Sequence, residues 1–279
     1  MRIFLPAAAM LLAACASAPS PNPTLEVAGD RLFVDAMVNK TPVSALLDSA
    51  AEASFADKSW AAANGIATFG AETAKGTGGV AEVSFAENIS VETLGTKLDG
   101  LTIAVLDLSG ISNRIIGRKV SFILGRELFD QERLAIDIER GEIAIADRAV
   151  KPLGVRLELS GERGVETLRA RVNGAEVSAE FDLGNGTEAL IGKATAEKLG
   201  LLDDPASLET RTGGGVGGEV ERKVVRLKTL EFAGAVFHDV EAAVDETENA
   251  GELNIGVRLL RKFRITTDFS GRAIWLATR

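Results

Sequence analysis

The chain has 279 residues, 46% of them hydrophobic and 25% charged, with a formal net charge of −9. That length suits two lobes of ordinary size, each with its own core. The acidic balance, with no clustered Lys or Arg, excludes nucleic acid as a partner, and a single Cys rules out cysteine-ligated zinc.

The first segment, residues 1–14, reads as a secretory signal. Arg2 supplies the positive charge, and the apolar run after it is too short to span a bilayer. The run ends in Leu12-Ala13-Ala14-Cys15, which resembles a bacterial lipobox. The resemblance implies cleavage before Cys15 and lipidation of its thiol. Residues 15–23 are rich in Pro, Ser and Ala and read as an extended tether. The expected location is the cell envelope, lipid-anchored and facing the periplasm. Ala16 after the cysteine favours the outer membrane by resemblance to sorting rules.

Downstream the chain repeats itself. At an offset of 134, Val38-Asn39 matches Val172-Asn173, Val43-Ser44-Ala45 matches Val177-Ser178-Ala179, and Asp48 matches Asp182. At an offset of 131, Gly125 matches Gly256, Arg133 matches Arg264 and Asp137 matches Asp268. Two copies of one unit follow, at 24–150 and 151–279. Each opens with strands of period-two alternation, such as "LEVAGDRLFVDAMVN". A strand ending in aspartate comes next. A short helix follows, "DKSWAAANG" or "GKATAEKLG", stopped by Gly65 or Gly200. A glycine-rich turn then leads into the closing strands. The predicted class is mainly β with small helices: two homologous β-barrel lobes about a pseudo-twofold axis, as a monomer.

An aspartate at a strand end most simply accepts turn N–H groups or caps the next helix. Its recurrence in both copies opens another reading. Equivalent residues near a twofold axis face each other, and two facing carboxylates share a proton. Such a pair can work as acid and base on a water without histidine, metal or cofactor. The only histidine, His238, lies on a predicted strand and reads as a surface residue.

Around these aspartates the chain resembles the aspartic proteases, and within them the bacterial retropepsin-like proteins with two lobes in one chain. The matching residues are Leu46-Leu47-Asp48-Ser49-Ala50 and Glu180-Phe181-Asp182-Leu183-Gly184. Ile123-Leu124-Gly125-Arg126 matches the family's apolar pair and glycine packed beneath each aspartate loop, and Asn254-Ile255-Gly256 matches it less well, because Asn254 is polar. The resemblance implies an endopeptidase with Asp48 and Asp182 as catalytic residues. Ser49, Ala50, Leu183 and Gly184 would support the dyad. Glycine flaps, at Gly76-Thr77-Gly78-Gly79 and at Gly213-Gly214-Gly215, would cover a peptide substrate. Ala50 stands where the family has glycine, and Leu183 where it has a hydroxyl. Those two departures keep a second reading open: an envelope lipoprotein that binds extended peptides without cutting them. A third is a structural lipoprotein whose aspartates only cap turns.

Overall fold

The structure is a computed structural model that describes residues 24–279 apart from 163, 205 and 207. Cys15, the signal segment 1–14 and the tether 15–23 lie outside the described residues.

Each half of the chain builds the same sheet. In the first, the strands run in the order Glu26–Ala28, Arg31–Val38, Thr41–Leu47, Phe122–Leu124, Phe55–Asp57, Thr96–Leu106, Gly79–Thr93 and Phe69–Gly76. A further pairing of Arg31–Val38 with Gly79–Thr93 closes six of these strands into a ring. The second half repeats the plan. Val165–Val172 opens its ring, Ala175–Phe181 carries the second aspartate, and Leu253–Ile255 lies beside it. Alternation explains the closure: Arg31–Val38 buries residue after residue on its inner face while Asp35 and Met37 point out.

The aspartate strands are each flanked by a parallel partner. Leu46 and Leu47 pair with Ile123 and Leu124, and Phe181 pairs with Ile255. Parallel strands buried on both faces read as continuous apolar runs, which is why "ALL" and "FIL" occur here. Gly125 must lack a side chain, because a Cβ there would lie 2.6 Å from the Ala53 carbonyl carbon. Gly256 is likewise pressed on the Asn185 carbonyl oxygen, at 2.2 Å from an added Cβ.

The expected short helices are present at Lys58–Ala63 and Lys193–Lys198. Asp57 caps the first by accepting from the Ser59 and Trp60 N–H groups, and Gly65 ends it at φ +68°. Two further short helices, Arg126–Gln131 and Val257–Leu260, follow the buried glycines directly. The sequence pattern did not distinguish them from strand.

The halves are joined by a five-stranded antiparallel sheet. Leu134–Asp137 of the first pairs with Phe263–Asp268 of the second, Ile136 opposite Ile265. Behind it the two cores merge. Phe129 stacks on Phe269 with ring centroids 5.1 Å apart, and Phe269 meets Phe181 edge-on. The shared core and sheet fix the relation between the two aspartate loops at the lobe junction.

Candidate active site

Both aspartates sit where a buried strand breaks into a turn. The Asp48 N–H still donates to the Leu124 carbonyl, and the Asp182 N–H to Ile255. Beyond that point each chain turns back on its own carboxylate. Asp48 Oδ1 accepts from the Ala50 and Ala51 N–H groups at 2.9 and 3.0 Å. Asp182 Oδ1 accepts from Gly184 and Asn185 at 2.8 and 3.0 Å. The turn-capping geometry expected of an isolated aspartate is therefore real. It fixes one oxygen of each carboxylate and leaves the other aimed away from its own loop.

The pseudo-twofold brings the two loops into contact. The Ser49 hydroxyl, 1% exposed, donates to the Phe181 carbonyl and accepts from the Leu183 N–H, both at 2.9 Å. Leu183 is fully buried and has no hydroxyl to return the bond. Gly184 lies against Asp48 itself: a Cβ there would be 2.3 Å from the Asp48 carboxyl carbon. Ala50 keeps its methyl and still donates to Asp48.

Both carboxyls titrate above their usual range. Burial pushes Asp48 up to about 7, helped by the charge of Asp182; the Ala50 and Ala51 N–H groups and Arg31 pull the other way. Burial also raises Asp182, opposed by donation from Asn254, by the Gly184 and Asn185 N–H groups and by Arg31. The pair thus titrates as a unit.

Asn254 and Arg31 are residues that the sequence reading did not assign. Asn254 Nδ2 donates to Asp182 Oδ2 at 2.8 Å and to Glu180 Oε2 at 3.1 Å, while its Oδ1 accepts from Asn185. Its counterpart in the first lobe is Ile123, which can donate nothing. Donation from Asn254 favours the anionic form of Asp182, and Ile123 offers Asp48 no such donor. The signal was visible as a polar residue in an otherwise apolar pair. Arg31 opens an apolar strand and is 7% exposed. Its charge acts on both aspartates.

The glycine turns form two hairpins whose tips meet. Gly76 pairs with Gly79 and Gly215 with Gly218. Gly213 and Gly214 lie on the strand Glu209–Gly215, so the second tip is Val216-Gly217. Gly78 N–H donates to the Val216 carbonyl at 2.9 Å, and Arg222 donates to the Thr77 carbonyl. The glycines serve this approach as much as the turns: a Cβ on Gly78 would lie 2.3 Å from the Gly218 oxygen. Val216 reaches across to the apolar cluster of Phe33, Val83, Leu106 and Ile123 in the first lobe. His238 is exposed on the strand Ala235–Asp245.

A family model described as aspartyl protease matches residues 34–128 and again 168–259. The chain belongs to the aspartyl protease family. The two matches in one chain, each containing one aspartate loop, agree with the two-lobed retropepsin-like form. Among solved structures, the soybean basic 7S globulin shares the fold over 92% of this chain and 94% of its own, with a TM-score of 0.54 and 8% identity. A retropepsin-like aspartic protease from Rickettsia conorii is 22% identical, covers 44% of this chain and 88% of its own, and has a TM-score of 0.36. No curated protein matches the sequence. Membership of the aspartyl protease family carries a general protease-like function.

Proposed function

We propose that this family member is an endopeptidase that hydrolyses peptide bonds with a water held between Asp48 and Asp182. The observation that carries this reading is the asymmetric pair: two raised carboxyls, one of which, Asp182, accepts a hydrogen bond from Asn254 that favours its anion. Asp182 takes a proton from the water as its oxygen attacks the scissile carbonyl carbon. Asp48 gives its proton to the carbonyl oxygen, so that no full oxyanion forms. In the second half the proton on Asp182 passes to the leaving nitrogen, the C–N bond breaks, and Asp48 recovers its proton from the hydroxyl. The pair ends as it began.

The flap tips supply N–H and C=O groups to an extended chain and the apolar cluster beneath Val216 supplies a floor for its side chains. The bonds between the tips must open to admit substrate. We further propose that Cys15 anchors the protein in the envelope; loss of labelled fatty acid on Cys15→Ala is the test.

For the hydrolysis, Asp48→Asn and Asp182→Asn should each abolish cleavage of an unfolded protein substrate at mildly acidic pH. Cleavage that survives either change removes the mechanism. Leu183 favours a second reading, a peptide-binding protein without turnover, because the one-sided brace holds the dyad less firmly. Tight peptide binding with no product from acid to mildly alkaline pH would select it.

A further inference from the structure

The two lobes repeat one sheet but not its lining. In the first lobe Phe33, Leu46, Val83, Leu106 and Ile123 form one apolar cluster with Val216 of the opposite flap. Register gives each of the five a counterpart in the second lobe. Phe33 pairs with Leu46 and Leu46 with Ile123; at the same places Thr167 pairs with Glu180 and Glu180 with Asn254. Phe85 pairs with Ala104 and Val224 with Ala243, at an offset of 139. That offset makes Arg222 the counterpart of Val83 and Asp245 that of Leu106. Five apolar residues on one wall of the cleft thus correspond to five polar or charged ones on the other.

The polar wall is buried. Arg222 and Asp245 are 5% exposed and Asn254 is 6% exposed. Asn254 bridges Glu180 and Asp182, so the wall is continuous with the dyad. Further along, Arg222 donates from Nη2 to the Thr77 carbonyl of the first flap, and the same nitrogen lies 4.0 Å from Asp245 Oδ1. The Arg222 Nε is buried without a hydrogen-bond partner. A buried donor in this state is costly. Val83 fills the equivalent position with no polar atom, so the fold itself does not demand an arginine there.

The flap tips show what each wall accepts. Val216 seats an apolar side chain on the first lobe, and Thr77 gives an amide oxygen to Arg222 on the second. Entry of substrate between the tips removes both. Arg222 then has two nitrogens to satisfy instead of one.

We propose that Arg222, backed by Asp245, makes the second lobe's wall a subsite for an amide side chain, Gln or Asn, while the first lobe's wall takes an apolar one. The two residues sit on opposite sides of the cut bond, because the pseudo-twofold passes between the aspartates. The amide oxygen replaces the Thr77 carbonyl on Arg222, and its NH2 donates to Asp245. An apolar side chain leaves Arg222 unpaired, and an acidic one meets Asp245 and Glu180 as like charges. The inference rests on the peptide-hydrolysis reading for its placement about the cut bond, but recognition of the amide does not require turnover.

The test uses the full chain and a library of synthetic decapeptides, with products read by mass spectrometry. Wild type should show apolar residues on one side of the cut and Gln or Asn on the other. Matched peptides with Gln, Glu or Leu at the polar position then give ratios of kcat/KM, and Gln should exceed Leu by about 10- to 100-fold. Arg222→Met removes the donors while keeping the length of the side chain. It should reverse the Gln/Leu preference and leave the preference on the apolar side as it was. A role confined to holding the flap would change all three peptides alike. Arg222→Lys keeps the charge and should lower the Gln/Leu ratio severalfold, which keeps the measurement open should Arg222→Met not fold. Apolar residues on both sides of the cut, Glu preferred to Gln, or an unchanged ratio in either variant overturns the subsite. If wild type cuts no peptide, hydrolysis fails as a reading. The same peptides, fluorescently labelled, then report binding: a tenfold preference for Gln that depends on Arg222 supports the subsite, and its absence overturns it.

Discussion

The Ser49 hydroxyl accepts the backbone N–H of Leu183 at 2.9 Å across the lobe junction, and nothing returns the bond from the other side. Ser49 also donates to the Phe181 carbonyl, so one buried hydroxyl satisfies two main-chain groups of the opposite loop. Ser49→Ala would leave both without a partner. Each such group costs about 1–3 kcal/mol, so a loss of roughly 2–6 kcal/mol is expected. In a chain of this size that is a fall in Tm on the order of 5–20 °C. Calorimetry checks it, and a change under 2 °C would show that the brace does not hold the lobes.

The two loops should respond oppositely to a single methyl. Gly184 has no room, because a Cβ would overlap the Asp48 carboxyl. Gly184→Ala must push Asp48 aside, and a shift of about 1 Å is enough to cost roughly a hundredfold in turnover. Ala50→Gly removes a methyl from a loop that already accommodates it and should retain cleavage. Comparing kcat/KM of the two variants, with thermal melts to confirm folding, decides it. Equal losses would mean that the loops are not asymmetric in the way the structure shows.

Much of this was readable beforehand. The duplication announced two like sheets, because a repeated pattern of strand, aspartate, helix and glycine turn can only fold into repeated units. The apolar pairs before Asp48 and before Gly125 were legible through the family resemblance, and the structure adds that both lie on strands buried on both faces. The helices after Gly125 and Gly256 were not readable: "RELFDQ" and "VRLL" are short, and four to six residues give no helical period to set against strand. Arg31 and Asn254 escaped for different reasons. Arg31 lies against Gly186 of the other lobe, and local pattern carries no record of that. Asn254 stood out as a polar residue in an apolar pair, but its partners Asp182 and Asn185 lie far back along its own lobe.

The raised carboxyls predict how stability varies with pH. Asp48 ionises near 7 when folded and near 3.8 otherwise. Between those values the folded state binds more protons than the unfolded state, so stability falls as pH rises from about 4 to about 7. A shift of about three units sets a ceiling near 4 kcal/mol. Asp48 keeps some contact with the cleft, and about 1–2 kcal/mol is a fairer expectation. Denaturant titrations at pH 4.5 and 7.5 should show wild type losing this much across the interval beyond what Asp48→Asn loses. A wild type whose stability rises as much as the variant's would exclude a buried proton-sharing pair.

The pH dependence of cleavage separates Asn254 from Arg31. Turnover needs the pair singly protonated, so the profile is bell-shaped: loss of the first proton sets the acid limb and loss of the second the alkaline limb. Asn254 donates to Asp182 and lowers its pKa. Asn254→Leu removes a bond to a charged group, and the acid limb should move up by about one to two units while the alkaline limb moves less. The bell narrows and its maximum drops. Arg31 pulls down both members, so Arg31→Gln should carry both limbs towards alkaline pH and leave the width nearly unchanged. Narrowing in one variant and translation in the other is the expected signature in kcat/KM against pH. If both variants merely translate the curve, the proton is not lodged on Asp48 by Asn254, and the division of acid and base between the two aspartates has to be reversed or abandoned.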